Sequence, residues 1–209
     1  MKITAQSALI LVDIQNDFLP GGALAVPQGD QVIEVANRLM PAFECVVATQ
    51  DWHPADHSSF ASQHADHEVG QVIQLDGLSQ VLWPDHCVEE SRGAEFATAL
   101  QLPNHAVVFK KGTDKQIDSY SGFFDNGKLK STGLDKFLQQ QNIRRVFVLG
   151  LATDYCVKFT ACDAAELGLE TVLIEDGCRG VDLQSGDVDV AIAQMRTSGI
   201  HVLQSNQIA

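Results

Sequence analysis

Short apolar runs alternate along this chain with amphipathic stretches of helical period. The runs fall at residues 8–12, 45–48, 106–109, 146–149, 171–174 and 201–203. Between the first two, residues 30–43 carry Val32, Ile33, Val35, Ala36, Leu39 and Met40 on one helical period. Residues 133–141, 153–167 and 188–197 read as further helices. The runs are continuous rather than alternating, which marks strands buried on both faces. The pattern predicts an α/β fold with three α/β/α layers, Rossmann-like, around a central and mostly parallel six-stranded sheet. No repeat, low-complexity tract or linker divides the 209 residues, so one domain over 1–209 is expected.

Two stretches break the rhythm. Residues 51–105 are irregular and rich in His, Asp, Gln and Pro, with one short helix expected near 92–100. Residues 112–132 contain Ser121-Gly122 and an Asn126-Gly127 turn signal. Long loops in a compact domain commonly serve function. Between residues 53 and 86 the first of these carries five of the seven histidines, which marks it as a candidate ligand-bearing loop.

Composition narrows the field. Hydrophobic residues are 45% and charged residues 20%, an ordinary globular balance. The net charge of -13 opposes binding to phosphate backbones and anionic membranes, so neither nucleic acid nor membrane is an expected partner. No apolar run reaches the roughly 20 residues that span a bilayer. Met1-Lys2-Ile3-Thr4 leads into a strand-like segment without the pattern of a signal peptide, and a cytoplasmic address is expected. The odd count of five cysteines argues against a disulfide framework, and the lack of a CxxC pair argues against a tetrathiolate zinc site. A homo-oligomer is neither required nor excluded.

In open α/β sheets, ligands bind outside the carboxyl ends of the strands. The first run is followed by Asp13, the second by Asp51 and His53, and the third by Lys110 and Lys111. The fourth leads through Gly150 to Thr153, Asp154 and Cys156, and the fifth to Glu175 and Asp176, which read as solvated strand ends. With Thr153 or Asp154 as N-cap, Cys156 falls in the first turn of a helix. Free N–H groups there and a nearby lysine favour a thiolate. The alternative is a buried structural cysteine, the common fate of a free thiol. In Asp51-Trp52-His53, side chains two apart project to one side of a strand. With His57 or His86 added, such a set suits Zn²⁺, Fe²⁺ or Mn²⁺ and leaves a position for substrate or water. Strand alternation sends one of Lys110 and Lys111 toward the cleft without saying which.

These residues, in this order, resemble the nicotinamidase/pyrazinamidase group of the isochorismatase-like hydrolases, over nearly the whole chain. ALILVDIQNDFLPGGALAV is similar to the family's first strand and loop and implies a catalytic Asp13. DWHPADHSSFASQH resembles the metal loop and WPDHC supplies a later ligand. Together they imply Asp51, His53 and His86 as ligands, with His57 as a further ligand or a group behind them. FKKGTD resembles the catalytic-lysine segment and selects Lys111. GLATDYCVKFTACDA resembles the nucleophile segment and implies Cys156. The resemblance implies one divalent ion and hydrolysis of nicotinamide to nicotinate and ammonia through a cysteine thioester, with pyrazinamide also accepted. It further implies Phe18 and Trp83 around the ring, Tyr120 and Leu151 beside it, an oxyanion hole from the N–H groups of Ala152 and Cys156, and a cis peptide between Leu151 and Ala152. Isochorismatases resemble this fold but lack the cysteine, and carbamoyl-type amidases generally lack the metal loop. A related amidase with another small substrate is the nearest alternative. A zinc hydrolase with an inert Cys156 and a non-catalytic binding protein are the others.

Overall fold

The computed structural model describes residues 1–209. Six strands form one parallel sheet: β1 (Ser7–Val12), β2 (Cys45–Asp51), β5 (Val107–Lys111), β6 (Arg145–Leu151), β7 (Glu170–Arg179) and β8 (His201–Leu203). Their order across the sheet is β5-β2-β1-β6-β7-β8, and every pairing is parallel. Every residue of β1 is buried, as the unbroken apolar run requires of a strand covered on both faces. The helices α1 (Gln31–Leu39), α2 (Leu134–Gln140), α3 (Lys158–Glu166) and α4 (Asp187–Thr197) complete the layers. Val32, Ile33, Val35, Ala36 and Leu39 are the buried stripe of α1. No helix is long and apolar enough to cross a membrane.

Three local features depart from the sequence reading. Residues 92–100 form no helix. Their backbone is bonded to the segment after β1: Glu95 C=O accepts from Asn16 N–H, Gly93 C=O from Asp17 N–H, and Ala97 N–H donates to Ile14 C=O. Second, a hairpin outside the main sheet joins β3 (Val72–Leu75) to β4 (Leu78–Val81). Its turn is Asp76-Gly77, with φ of 48° and 83°, a sequence signal for a tight hairpin. Third, neither Thr153 nor Asp154 caps a helix. Residues Thr153–Val157 form a wide turn in which Tyr155 leaves helical angles, and α3 starts only at Lys158. The carboxylate of Asp154 instead accepts the N–H groups of Val181 and Asp182, at 3.0 and 2.8 Å.

Candidate active site

The sheet topology brings the strand ends together. β1 lies between β2 and β6, so Asp13, Asp51 and the turn after Leu151 leave one edge side by side. Parallel register pairs Asp51 with Lys111. Lys111 turns inward, whereas Lys110 is exposed with its Nζ 3.4 Å from the centre of the Trp52 ring. Asp13 has a φ of 50°, in the left-handed region that Asp tolerates better than most residues. Gly150 (φ 129°) allows β6 to pass close to β1, since a Cβ there would lie 2.1 Å from the Val12 carbonyl oxygen.

Lys111 is the hub. Its Nζ lies 2.9 Å from Asp13 Oδ2, 2.5 Å from Asp51 Oδ1, 2.9 Å from the Ser119 carbonyl oxygen and 3.4 Å from Cys156 Sγ. All four side chains are buried. Thr49 donates to the other oxygen of Asp13 at 2.6 Å. Gln15 locks the strand ends: its amide donates to the carbonyls of Asp51 and Ala94, and its carbonyl oxygen accepts Asp51 N–H, each at 2.8 Å.

Burial opposes every charge here, so the partners decide each protonation state. Burial pushes the Lys111 ammonium down, but Asp13 and Asp51 outweigh it and hold its pKa well above the usual lysine value. Burial likewise pushes Asp51 up, yet Lys111 and the histidines hold its carboxyl well below the usual range. Asp13 is raised, because burial and the repulsion of Asp51 prevail over Lys111 and Thr49. Burial also drives the Cys156 thiol well above its ordinary value despite Lys111, with Asp13 and Asp51 adding to the rise. Burial thus works against the thiolate that a helix N-terminus would favour, and the thiol lies beside a carboxylate of raised proton affinity.

Asp51, His53 and His86 form a buried group whose ligand atoms lie within 4.8 Å of one another. Nε2 of His53 and of His86 lie 3.5 and 3.7 Å from Asp51 Oδ2. The opposite ring nitrogens are held by backbone, His53 Nδ1 on Gly112 C=O and His86 Nδ1 on Pro84 C=O, each at 2.8 Å. A carbonyl only accepts, so both Nδ1 atoms carry protons and both Nε2 atoms present lone pairs. His53 Nε2 is buried without a hydrogen-bond partner. Gly112 (φ 64°) is required against this ring, because a Cβ would come within 2.3 Å of it. His57 differs. Its Nδ1 is 2.7 Å from Ser59 Oγ and accepts Ser59 N–H at 3.2 Å, and its Nε2 is partnerless and buried. It belongs not to the first group but to a second, with His53 and Asp118. Two imidazole lone pairs and a carboxylate oxygen, buried and convergent, fit one divalent ion.

A cleft enclosing about 350 Å³ of non-atom space, open solvent at its mouth included, adjoins this cluster. Phe18, Trp83 and Tyr120 line it, as do Asp51, His86, Ala152 and Cys156. Trp83 Nε1–H donates to the Tyr120 hydroxyl at 3.1 Å. The peptide between Leu151 and Ala152 is cis. Leu151, expected beside the substrate, is 1% exposed within the core and does not line the cleft. Alternation at the strand end turns its side chain away and leaves Ala152 at the wall. Four wall residues are not singled out by the sequence: Leu24, Tyr155, Val181 and Asp118. Tyr155 meets Trp83 edge-on with centroids 4.8 Å apart. Its position next to Cys156 was the available signal. Nothing local in the sequence marks Val181 or Asp118.

At one edge the parallel α/β sheet carries a buried Cys/Asp/Lys cluster and an Asp/His/His group that could hold a cation, an arrangement of the hydrolase class. The isochorismatase domain model matches residues 7–207, and the chain belongs to the isochorismatase family. It is 53% identical over 196 residues to the nicotinamidase of Escherichia coli K12, covering 92% of each chain. Among solved structures, the nicotinamidase/pyrazinamidase of Acinetobacter baumanii superposes with a TM-score of 0.95 at 44% identity, over 98% of both chains. A pyrazinamidase of Pyrococcus horikoshii, solved with zinc, is 36% identical with a TM-score of 0.77, over 95% of this chain and 99% of that one.

Proposed function

We propose that this protein is a nicotinamidase that hydrolyses nicotinamide to nicotinate and ammonia and also accepts pyrazinamide. The observation that carries the reading is the convergence of Cys156, Asp13 and Lys111 beside Asp51, His53 and His86. The likeness to enzymes of that name over nearly the full chain supports it. We read 1–209 as one domain whose 51–105 segment carries the metal loop, acting in the cytoplasm.

Asp51, His53 and His86 would hold one Zn²⁺, Fe²⁺ or Mn²⁺ ion. When bound, it supplies a Lewis-acid contact for a ring nitrogen and for water. Phe18 and Trp83 flank the ring and Tyr120 closes the pocket. Asp13 takes the proton of the Cys156 thiol, and its raised affinity suits a group that must accept and return protons. The sulfur attacks the carboxamide carbon, and the N–H groups of Ala152 and Cys156 receive the developing oxyanion. Lys111 holds Asp13 in place and offsets the negative charge at the sulfur. The C–N bond breaks as Asp13 gives its proton to departing ammonia, leaving a thioester. Asp13 then takes a proton from water, whose oxygen attacks the thioester, and nicotinate leaves as the thiol re-forms.

The test is a metal analysis and an ammonia-release assay on one preparation, across nicotinamide, pyrazinamide, carbamoyl compounds and isochorismate. The expected result is one divalent ion per chain and turnover concentrated on the two aromatic amides. Preference for a carbamoyl compound or isochorismate, or no turnover in the metal-loaded protein, would overturn the reading.

A further inference from the structure

Asp118 is a buried carboxylate without a cation. It is 5% exposed and lies on the cleft wall, yet no lysine, arginine or histidine approaches it within ion-pair distance. Its polar contacts are neutral. Ser119 N–H donates to Oδ1 at 2.7 Å, and Gln80 Nε2 to Oδ2 at 3.0 Å. The same Gln80 nitrogen faces the Val81 carbonyl at 2.7 Å, so two acceptors fix the amide with its nitrogen toward Asp118. A buried carboxylate satisfied only by neutral donors is costly unless an opposite charge stands nearby. Lys111 does not serve, being shared between Asp13 and Asp51.

The neighbours indicate where that charge belongs. A nitrogen of His53, a nitrogen of His57 and an oxygen of Asp118 all lie within 4.8 Å of one another. His53 is also one of the three residues of the metal group. Both Nε2 atoms, on His53 and His57, are buried without partners. A carboxylate and a second imidazole thus adjoin His53, a member of the metal group.

We propose that Asp118 is a positioning residue of the metal centre. It does not ligate the ion, but its negative charge, with His57 beside it, raises the affinity of Asp51, His53 and His86 for a divalent cation. Groups behind the ligands commonly change metal affinity about 10–100-fold when removed. The inference rests on the metal-dependent amidase reading above and adds to it a residue with no part in the covalent steps. It also separates two jobs of Gln80 and Asp118. Gln80 holds the hairpin strand β4 to the cleft wall, whereas Asp118 supplies charge.

The experiment measures Zn²⁺ affinity by competition with a chromophoric chelator, using the full chain stripped of metal and reloaded. Wild type is expected to bind one Zn²⁺. Asp118→Asn keeps the shape and should weaken binding about 10–100-fold. Gln80→Ala removes the neutral hydrogen bond, keeps the charge, and should stay within about threefold of wild type on the same principle. Circular dichroism checks the fold of each variant. If Asp118→Asn does not fold, Asp118→Ser, which retains an acceptor for Ser119 N–H, carries the same expectation. Wild-type affinity in the Asp118 variant overturns the proposal while leaving the amidase reading intact, and so does an equal loss in Gln80→Ala. Two ions per wild-type chain would give the His53, His57 and Asp118 group a cation of its own and overturn it too. Wild type without metal would remove the shared premise of both readings.

Discussion

The strand ends and the long loops build opposite halves of the cleft by different means. Asp13, Asp51 and Lys111 sit at the ends of β1, β2 and β5, where the hydrogen-bonded ladder sets both spacing and side-chain direction. A slip of one residue would send Lys111 outward and Lys110 inward. Trp83, His86, Asp118 and Tyr120 have no such ladder. Their loops are held by scattered side-chain bonds: Gln15 to Ala94, Asp17 to Cys87 N–H, and Asp125 to three N–H groups at Gly127, Leu129 and Lys130. Each such bond contributes about 0.5–1.5 kcal/mol. Under the proposed mechanism, the division places the bond-making groups on the strand half and the recognition groups on the half that can be altered piecemeal. Changes on the strand half should therefore lower kcat, and changes on the loop half should raise KM.

The largest effect tests the strand half directly. Cys156→Ala should abolish ammonia release and leave the fold intact by circular dichroism. Losing one oxyanion donor alone typically costs about 10²–10³ in rate, and losing the nucleophile should cost more. Turnover above a few per cent of wild type would falsify covalent catalysis by this residue. Lys111→Met should also inactivate, and it should destabilise by about 3–5 kcal/mol, because it leaves Asp13 and Asp51 buried without their cation. Urea denaturation of the variant checks this, and an unchanged midpoint would show that the ammonium is not what the two carboxylates depend on. Removing the metal acts across both halves. The chelated enzyme should bind nicotinamide at least about tenfold more weakly, on the scale of one good polar contact, and recover with added Zn²⁺. An unchanged KM in the apoenzyme would rule out contact between the ion and the ring.

The same division explains what was legible in the sequence. Six apolar runs announced six strands, of which the four inner ones are largely buried and the edge strands β5 and β8 are partly exposed. The residues after the first four runs read as cleft candidates because strand ends are where such sheets bind ligands. Only the resemblance chose Lys111 over Lys110, since alternation is blind to which face is inward. The loops were less legible because their order comes from long-range bonds. Residues 92–100 have helix-like composition, but their backbone groups are taken by the segment after β1. The Asp76-Gly77 hairpin was readable from turn chemistry and was passed over inside a segment taken as irregular. Asp154 carries the short polar side chain of an N-cap, yet it is spent on Val181 and Asp182, neighbours that only the folded chain brings near.

That carboxylate joins the halves, so its loss should show an intermediate effect. Asp154→Asn keeps one acceptor and sets an NH₂ group against the second N–H. Leaving a buried donor unpaired costs about 1–3 kcal/mol. Because Asp154 holds both the turn of Cys156 and the segment bearing Val181, kcat should fall and KM should rise together, by about 5–100-fold in kcat/KM by that measure. Steady-state kinetics on nicotinamide separates the two. A lowered melting temperature with unchanged kinetics would make Asp154 a stability residue only.

The smallest effect belongs wholly to the loops. Tyr120→Phe preserves the aromatic wall and removes the hydroxyl that accepts Trp83 Nε1–H and approaches Gln80 Nε2 at 3.1 Å each. The indole N–H then loses this hydrogen bond, worth about 0.5–1.5 kcal/mol. Trp83 loses its anchor rather than its place, so KM should rise about 2–10-fold and kcat should stay within about twofold. A kcat loss matching the KM change would mean that Tyr120 is tied to the bond-making groups, and the separation of strand half from loop half would then fail at the residue where it should be clearest.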